Sequence, residues 1–491
     1  MENSYLLLAN GESAPFDDIA ILDFPLFRET VLNGVKNENC YLAAFFVAPY
    51  GDKNLLISLL GDPAAQKFRI SAASVGEEFP SLTTEYPGFN RFEREIFEEY
   101  GIRPAGHPWL KPIRFENVLP GDTKYFSMQG SAIHEVAVGP VHAGVIEPGH
   151  FRFECMGEDV HSLEISLGYQ HRGVEKMLLD SPEKLHAHII ETAAGDSSIA
   201  SAINYCTIIE SLAGISVDKD SRQLRMLALE LERCANHIGD LGALAGDVAF
   251  LPTASFCGRI RGDYLNMTAM LCGNRFGRNF IVPGGCRCSL DGERKKAMLK
   301  QLQTVAPELW NALDLMFESP TVLDRLENTG LVSRECAVML GLTGVAARAC
   351  GLSCDTRKNF PLPGEKCTIP VAISENGDVM SRASVRRQEL YNSHDYIFDI
   401  LGKESAENPA VQYSYPELSG GRIAVSAVEA WRGMLCHVAV TGENGKFSRY
   451  KIVDPSFHNW SGLAMALRGE QISNFPICNK SFNLSYCGHD L

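Results

Sequence analysis

Apolar positions recur with two different periods along the chain. Near the start, Ala44 to Ala48 and Leu55 to Leu60 are apolar runs of strand length, closed by the turn signals Pro49-Tyr50-Gly51-Asp52 and Gly61-Asp62-Pro63. Phe89 to Tyr100 changes to the helical period: Phe92, Ile96 and Phe97 share a face, acids and Arg94 fill the rest, and Gly101 stands at the C-cap position. Residues 1–118 therefore read as an α/β unit, 119–132 as a Gly- and polar-rich linker, and 133–491 as a second unit. The second unit opens with a hairpin region, Ile133 to Ile165, with strands at Val136-Ala137-Val138 and Phe151-Arg152-Phe153 around the turn Glu147-Pro148-Gly149. Beyond His171 the pattern turns helical. Asp196 or Ser197 caps a helix carrying Ile199, Ile203, Cys206 and Ile209, and Ser221 caps one running from Arg222 to Leu244. Further helices are predicted over Lys295 to Phe317, Ser333 to Cys350, Ala383 to Leu401 and Asn459 to Leu467. The fold class is α+β, an α/β module before a mainly helical unit.

The 491 residues suffice for two or three domains, and the balance of 45 basic against 60 acidic side chains, net −15, argues against a nucleic-acid partner. No basic and then apolar leader opens the sequence, and no apolar run approaches the roughly 18 residues of a membrane span. The 15 cysteines include no CxxC; the closest pairs are Cys286/Cys288 and Cys350/Cys354. A locally ligated zinc or iron–sulfur site is therefore not expected, and most of these thiols read as small buried hydrophobes in a reducing compartment.

Four segments concentrate polar groups. In Gly168 to Lys176, His171, Arg172 and Glu175 fit within one helical turn lining a cleft, or form a solvated helix start. In Glu230 to His237, Arg233 and His237 stand four apart on one helix face, as a functional pair or a satisfied interhelix one. Gly273 to Gly285 is glycine-rich without a phosphate-binding pattern, and reads as a connection or a site of close backbone approach. In Val428 to Gly433, Arg432 places a fixed charge in a pocket or pairs with Glu429. There is no GxSxG or HExxH.

In combination these stretches resemble a known family. Phe92-Glu93-Arg94-Glu95-Ile96 with Gly106-His107-Pro108 resembles the 30-kDa-type subunit of respiratory complex I. The rest resembles the 49-kDa-type subunit and, more closely, the large subunit of group 4, energy-converting nickel–iron hydrogenases. The carrying motifs are Gly139 to His142, Glu147 to Phe153, His171 to Lys176, Glu230 to His237, Arg275 to Gly285, Gly341 to Gly344, Glu429 to Gly433 and Pro455-Ser456-Phe457.

The resemblance implies a metal site held by four cysteines, two early and two near the C-terminus, and this sequence departs at each. The corresponding positions hold Ala194, Ser197, Ser485 and Gly488, so the nickel–iron centre is expected to be absent. Cys487, His489 and Cys206 are the residues from which a metal site would have to be rebuilt. Complex I uses the same cavity for a quinone, held by a tyrosine and a histidine. The tyrosine position is Gly195, with Tyr486 or Tyr205 as substitutes, and the histidine corresponds to His142 or His150. The candidate catalytic residues are therefore His142, His150, His171 and Arg432, with Arg172 and His237 near a 4Fe–4S cluster belonging to a small-subunit-like iron–sulfur partner. The implied role is a peripheral subunit at the cytoplasmic face of the membrane, beside antiporter-like and quinone-site membrane subunits, passing electrons from that cluster to a quinone or another small acceptor and binding no cofactor directly. The alternatives are a scaffold that docks the iron–sulfur partner and a true hydrogenase.

Overall fold

The computed structural model describes residues 4–116, 118–119, 122–143, 146–403 and 410–491; residues 120 and 121 of the expected linker lie outside them. The two apolar runs form the antiparallel strands Tyr41–Tyr50 and Lys53–Asp62. Lys67–Val75 and Leu6–Leu8 extend this sheet, and Ile21–Leu22 joins Lys67–Val75 in parallel. The helices Phe24–Asn37 and Asn90–Tyr100 pack on it, the second ending at Gly101 as its periodicity predicts. The hairpin region is a three-stranded antiparallel sheet of Ile133–Val138, His150–Met156 and Asp159–Ser166, with Phe151 paired to Val138 and Phe153 to Val136.

The helical body is organised around Lys219–Asp247, which packs against Leu251–Cys272 and Val379–Gly402, with Gly292–Phe317 against Leu251–Cys272. Its cap is Asp218, whose carboxylate accepts from Ser221 N at 2.9 Å, rather than Ser221. The helix expected over Ser333 to Cys350 is two short ones, Arg334–Met339 and Gly344–Arg348. Gly344 breaks it with a φ of +62°, and a Cβ there would lie 2.1 Å from Arg432 O, so backbone meets backbone at this point.

A sheet that the apolar pattern does not announce lies at the centre: Phe447–Val453, Gly433–Thr441 and Arg422–Ala430, all antiparallel, extended by Ser13–Pro15 from the first unit. It divides two hydrophobic cores. Ile423, Val425, Ala427, Cys436, Val438 and Val440 join the core of the first unit, while Ala424, Val428, Leu435, Ala439 and Ile452 join that of the helical body. With both faces buried, its strands lack the polar alternation that marks a half-exposed strand.

Charge also crosses between the units. Glu95 and Glu99 of the first unit and Glu175 of the second meet Arg114, Arg449 and Lys451. Lys451 Nζ lies 2.6 Å from Glu95 and 3.0 Å from Glu175, and Arg449 lies 2.9 Å from Glu99 and 3.1 Å from Glu175. Burial, aided by the neighbouring carboxylates, pushes Glu99 up to about 7 against the pull of Arg449. A raised carboxyl group favours the folded state least where the unfolded chain has already lost its proton. Its contribution therefore falls as pH climbs from the ordinary 4.5 to about 7. Glu99→Gln should flatten that decline, read as melting temperature against pH; an unchanged slope would discard this account.

Candidate functional site

Arg432 links the segments around the two pairs of cysteine positions, by an ion pair to Asp196 on the early side and a bond to Asn483 O on the late side. Asp196 sits on the turn between His186–Ile190 and Ser198–Ala213, beside buried Ala194 and Ser197. Arg432, in the tight turn after Arg422–Ala430, donates from both terminal nitrogens to the two Asp196 oxygens at 2.7 and 2.8 Å. Its Nε donates to Asn483 O at 2.5 Å, and its guanidinium lies 3.8 Å over the Trp431 ring, whose Nε1 donates to Asp196 O. Burial would lift the Asp196 carboxyl, but Arg432 holds it below its ordinary range. Glu429 does not pair with Arg432; it bonds Arg348 at 2.6 Å and the amide and hydroxyl of Thr356.

On the late side, Ser485 caps Tyr486–Asp490, its Oγ accepting from Gly488 N at 2.9 Å. A Cβ on Gly488 would lie 2.6 Å from Asp454 Oδ2 and 2.9 Å from Ser485 Oγ. A carboxylate thus fills the space of a side chain at 488. Asp454 itself caps Pro455–Ala466, and burial raises its carboxyl against the pull of Arg432.

These groups do not fit a thiolate-held metal centre: Ala194 and Gly488 offer no donor, and the Ser485 hydroxyl is spent on its cap. Nor do the cysteines elsewhere rebuild one. Cys206 lies by Arg225 and Cys286, Cys487 beside Ser485, and His489 against Asp490 and Phe457. Among the described residues, no three His, Cys, Asp or Glu side chains gather as metal ligands.

The hairpin reaches this centre through Glu147, which accepts from Tyr486 N at 3.1 Å. His142 Nε2 lies 2.8 Å from Gly149 O and His150 Nδ1 3.4 Å from Gly139 O, so both rings brace the hairpin loop. His150 is buried with its Nε2 unpartnered, its ring 5.1 Å from Tyr125, and burial lowers its pKa. Of the two substitute tyrosines, Tyr486 packs beside the loop at Gly149, Phe151 and Trp460. Tyr205 lies elsewhere, among His186 and Tyr450.

His171 and Arg172 do not share a helical turn with Glu175, because Gly173 takes the left-handed conformation and starts Val174–Asp180 after them. His171 Nδ1 lies 2.7 Å from Asp490 O and its Nε2 3.2 Å from Glu116. Arg172 donates to Thr192 O and Ala193 O, so it braces the early turn. Glu175 goes to Lys451 and Arg449. The tail is held there too, Asp490 accepting from Gly168 N and Gln170 N.

His237 is fully buried, with Nε2 2.6 Å from Glu389 and Nδ1 unpartnered; burial lowers its pKa, partly offset by Glu389. Arg233, four residues before it, reaches the same carboxylate at 3.7 Å, so the pair is interhelical. Arg348, Arg357, Glu230, Glu429 and Asp355 complete a buried lattice of charge. Asp454 and Glu389 were not legible as site residues, since each acts through a contact distant in sequence.

Comparison with known proteins agrees with this architecture. Residues 52–126 match the family described as respiratory-chain NADH dehydrogenase, 30 Kd subunit, and residues 247–419 the 49 Kd subunit. The chain is 30% identical to the carbon monoxide-induced hydrogenase of Rhodospirillum rubrum over 354 residues, covering 71% of this chain and 97% of that protein. It is 28% identical to formate hydrogenlyase subunit 5 of Escherichia coli, covering 85% of this chain and 78% of the relative. A chain of the archaeal membrane-bound sulfane sulfur reductase shares the fold, with a TM-score of 0.67 at 22% identity over 73% of this chain and 99% of that one. The chain belongs to the oxidoreductase family that unites the large subunits of group 4 hydrogenases with the 49-kDa subunit of complex I, here fused behind a 30-kDa-type domain.

Proposed function

We propose that this chain is a peripheral subunit of a membrane-bound complex related to complex I and the energy-converting hydrogenases, and that it works without a nickel–iron centre. The carrying observation is the replacement of all four thiolate positions by Ala194, Ser197, Ser485 and Gly488, with the Asp454 carboxylate filling the side-chain space at 488. In this reading electrons come from a 4Fe–4S cluster of an iron–sulfur partner and pass to a quinone or another small acceptor near Asp196, Arg432 and the hairpin histidines. A partner with acidic groups suits the face around the Thr192–Asp196 turn, where Arg172, Arg275, Arg278 and Arg287 are exposed in a chain of net charge −15. Antiporter-like and quinone-site membrane subunits would complete the complex at the cytoplasmic face. Among the described residues no helix is long and apolar enough to cross a membrane, so the membrane arm falls to those partners.

Elemental analysis with infrared spectroscopy of the purified complex tests the metal claim. Iron attributable to the partner's cluster, without nickel and without cyanide or carbonyl bands, is expected; stoichiometric nickel would overturn it. A scaffold role is the second reading, favoured by the saturation of Arg432, all three of whose donor nitrogens are engaged within the chain. It predicts unchanged complex activity in His171→Ala, Arg172→Ala and His237→Ala with assembly intact, whereas the proposed function predicts a loss.

A further inference from the structure

Glu232 is a buried carboxyl group with no part in the ion pairs described above. It lies on Lys219–Asp247 and reaches the first turn of Ser198–Ala213, where its oxygens accept from Ile199 N at 2.8 Å and Ala200 N at 3.2 Å. Ser197, at the cap position of that helix, contributes no side-chain bond to the helix amides. Beside the carboxyl group is a cavity of about 20 Å³, room for one water. Its walls include Glu232, Asp196, Asn236, Arg261, Arg275 and Phe276. Arg275 and Phe276 are exposed, so the cavity opens at the surface. Its inner wall is the Asp196 turn that Arg432 clamps. Asn236 fastens the two sides together, its Nδ2 donating to Asp196 O and to Glu232 O, each at 2.9 Å.

We propose that Glu232 is the proton-holding residue between solvent at the Arg261/Arg275 rim and the Asp196–Arg432 site. The Glu232 carboxyl proton passes through water in the cavity to a polar acceptor at the site, and a proton entering from solvent at the Arg261/Arg275 rim restores the carboxyl group. Only O–H bonds form and break, and no electron is carried. The cavity has room for one water between both carboxyl-bearing segments, which a helix cap alone would not require. The charged groups around Glu232 are Asp196 from the turn, Arg233 on its own helix, Arg261 from Leu251–Cys272 and Arg275 from the following loop. Burial dominates them and, despite the two amide donors, pushes the carboxyl up to about 8, so the group holds a proton at neutrality and exchanges it just above. The destination of the proton rests on the proposed function; its residence on Glu232 does not.

Infrared titration of the purified chain and steady-state assay of the intact complex with a soluble quinone form the two arms of the test. The chain should show a protonated-carboxyl band that disappears near pH 8 and is missing in Glu232→Gln. In the complex, Glu232→Gln should lower turnover at least about tenfold and abolish the corresponding limb of the pH profile, with partner retention unchanged. Glu232→Asp, which keeps the acid and shortens its reach, should retain part of the rate with a displaced limb, and it carries the test if Glu232→Gln does not fold. A carboxylate already ionised at pH 6, or a Glu232→Gln complex with wild-type rate and pH profile, overturns the proposal. If the band titrates as expected while the intact complex reduces no quinone, the proton site stands and the proposed acceptor fails.

Discussion

Arg348→Met is expected to destabilise the chain by about 3–5 kcal/mol, the cost of breaking a buried ion pair by removing one partner. Arg348 is fully buried and joins two buried carboxylates, Glu389 at 2.5 Å and Glu429 at 2.6 Å. Without it, the ion-pair partners left among the described residues to four carboxylates (Glu230, Glu389, Glu429 and Asp355) are Arg233, Arg357 and the His237 imidazole. Burial opposes the charge on Glu389, but Arg348 and its neighbours hold its pKa well below the usual 4.5. A depressed carboxylate stabilises the fold above its unfolded value and loses that contribution as pH falls through the folded one. The gap between wild type and variant should therefore be widest above about pH 4.5 and narrow in acid. Arg348→Lys should fall between, since an ammonium does not bridge two carboxylates as a planar guanidinium does. Adding Glu429→Gln to Arg348→Met should recover part of the loss, because one orphaned charge is then gone. Denaturation midpoints against pH measure all of this; a pH-independent gap would show that packing, not charge, is what the arginine supplies.

The second large effect is expected at the site. Arg432→Met removes a fixed cation from a turn that joins the early and late motifs, and should lower the activity of the assembled complex about 100-fold, the scale on which a preorganised donor acts. It also leaves half-buried Asp196 without its bidentate partner and Asn483 O without a donor. The double variant Asp196→Asn with Arg432→Met separates the two contributions. Stability should be partly restored, with a coupling energy in the range of about 0.5–3 kcal/mol, while activity stays low. Restored activity in the double variant would mean that the pair is only a brace, as the scaffold reading requires.

The contrast between these two arginines shows where reading the sequence stops. Arg432 was visible as a candidate cation beside an acid, yet Glu429, three residues away, points to Arg348, and the true partner is Asp196, 236 residues distant. Arg233 and His237 were legible as one helix face, because helical geometry dictates it; that both meet Glu389 was not. The helix Phe89 to Tyr100 could be read almost to the residue, since it buries one face and its period says so; the strands around Gly51 were located by their apolar runs and the turn between them, and each extends beyond its run at both ends. The sheet of residues 422–453 could not, since both of its faces are buried while Ser426, Glu429, His437, Arg449 and Lys451 interrupt its apolar runs.

By itself, then, the sequence determined the amphipathic helices, the apolar strands bounded by turn residues, the family motifs and the absence of thiolates at four positions, because each of these is a property of residue type and local spacing. Tertiary structure decided that a central sheet divides two cores, that Asp454 stands in the side-chain space at Gly488, and that Glu232 caps a helix other than its own beside a water-sized cavity. Those outcomes depend on which buried charge finds which partner. A low-dielectric interior makes that pairing obligatory, but only the folded path of the chain selects the partner.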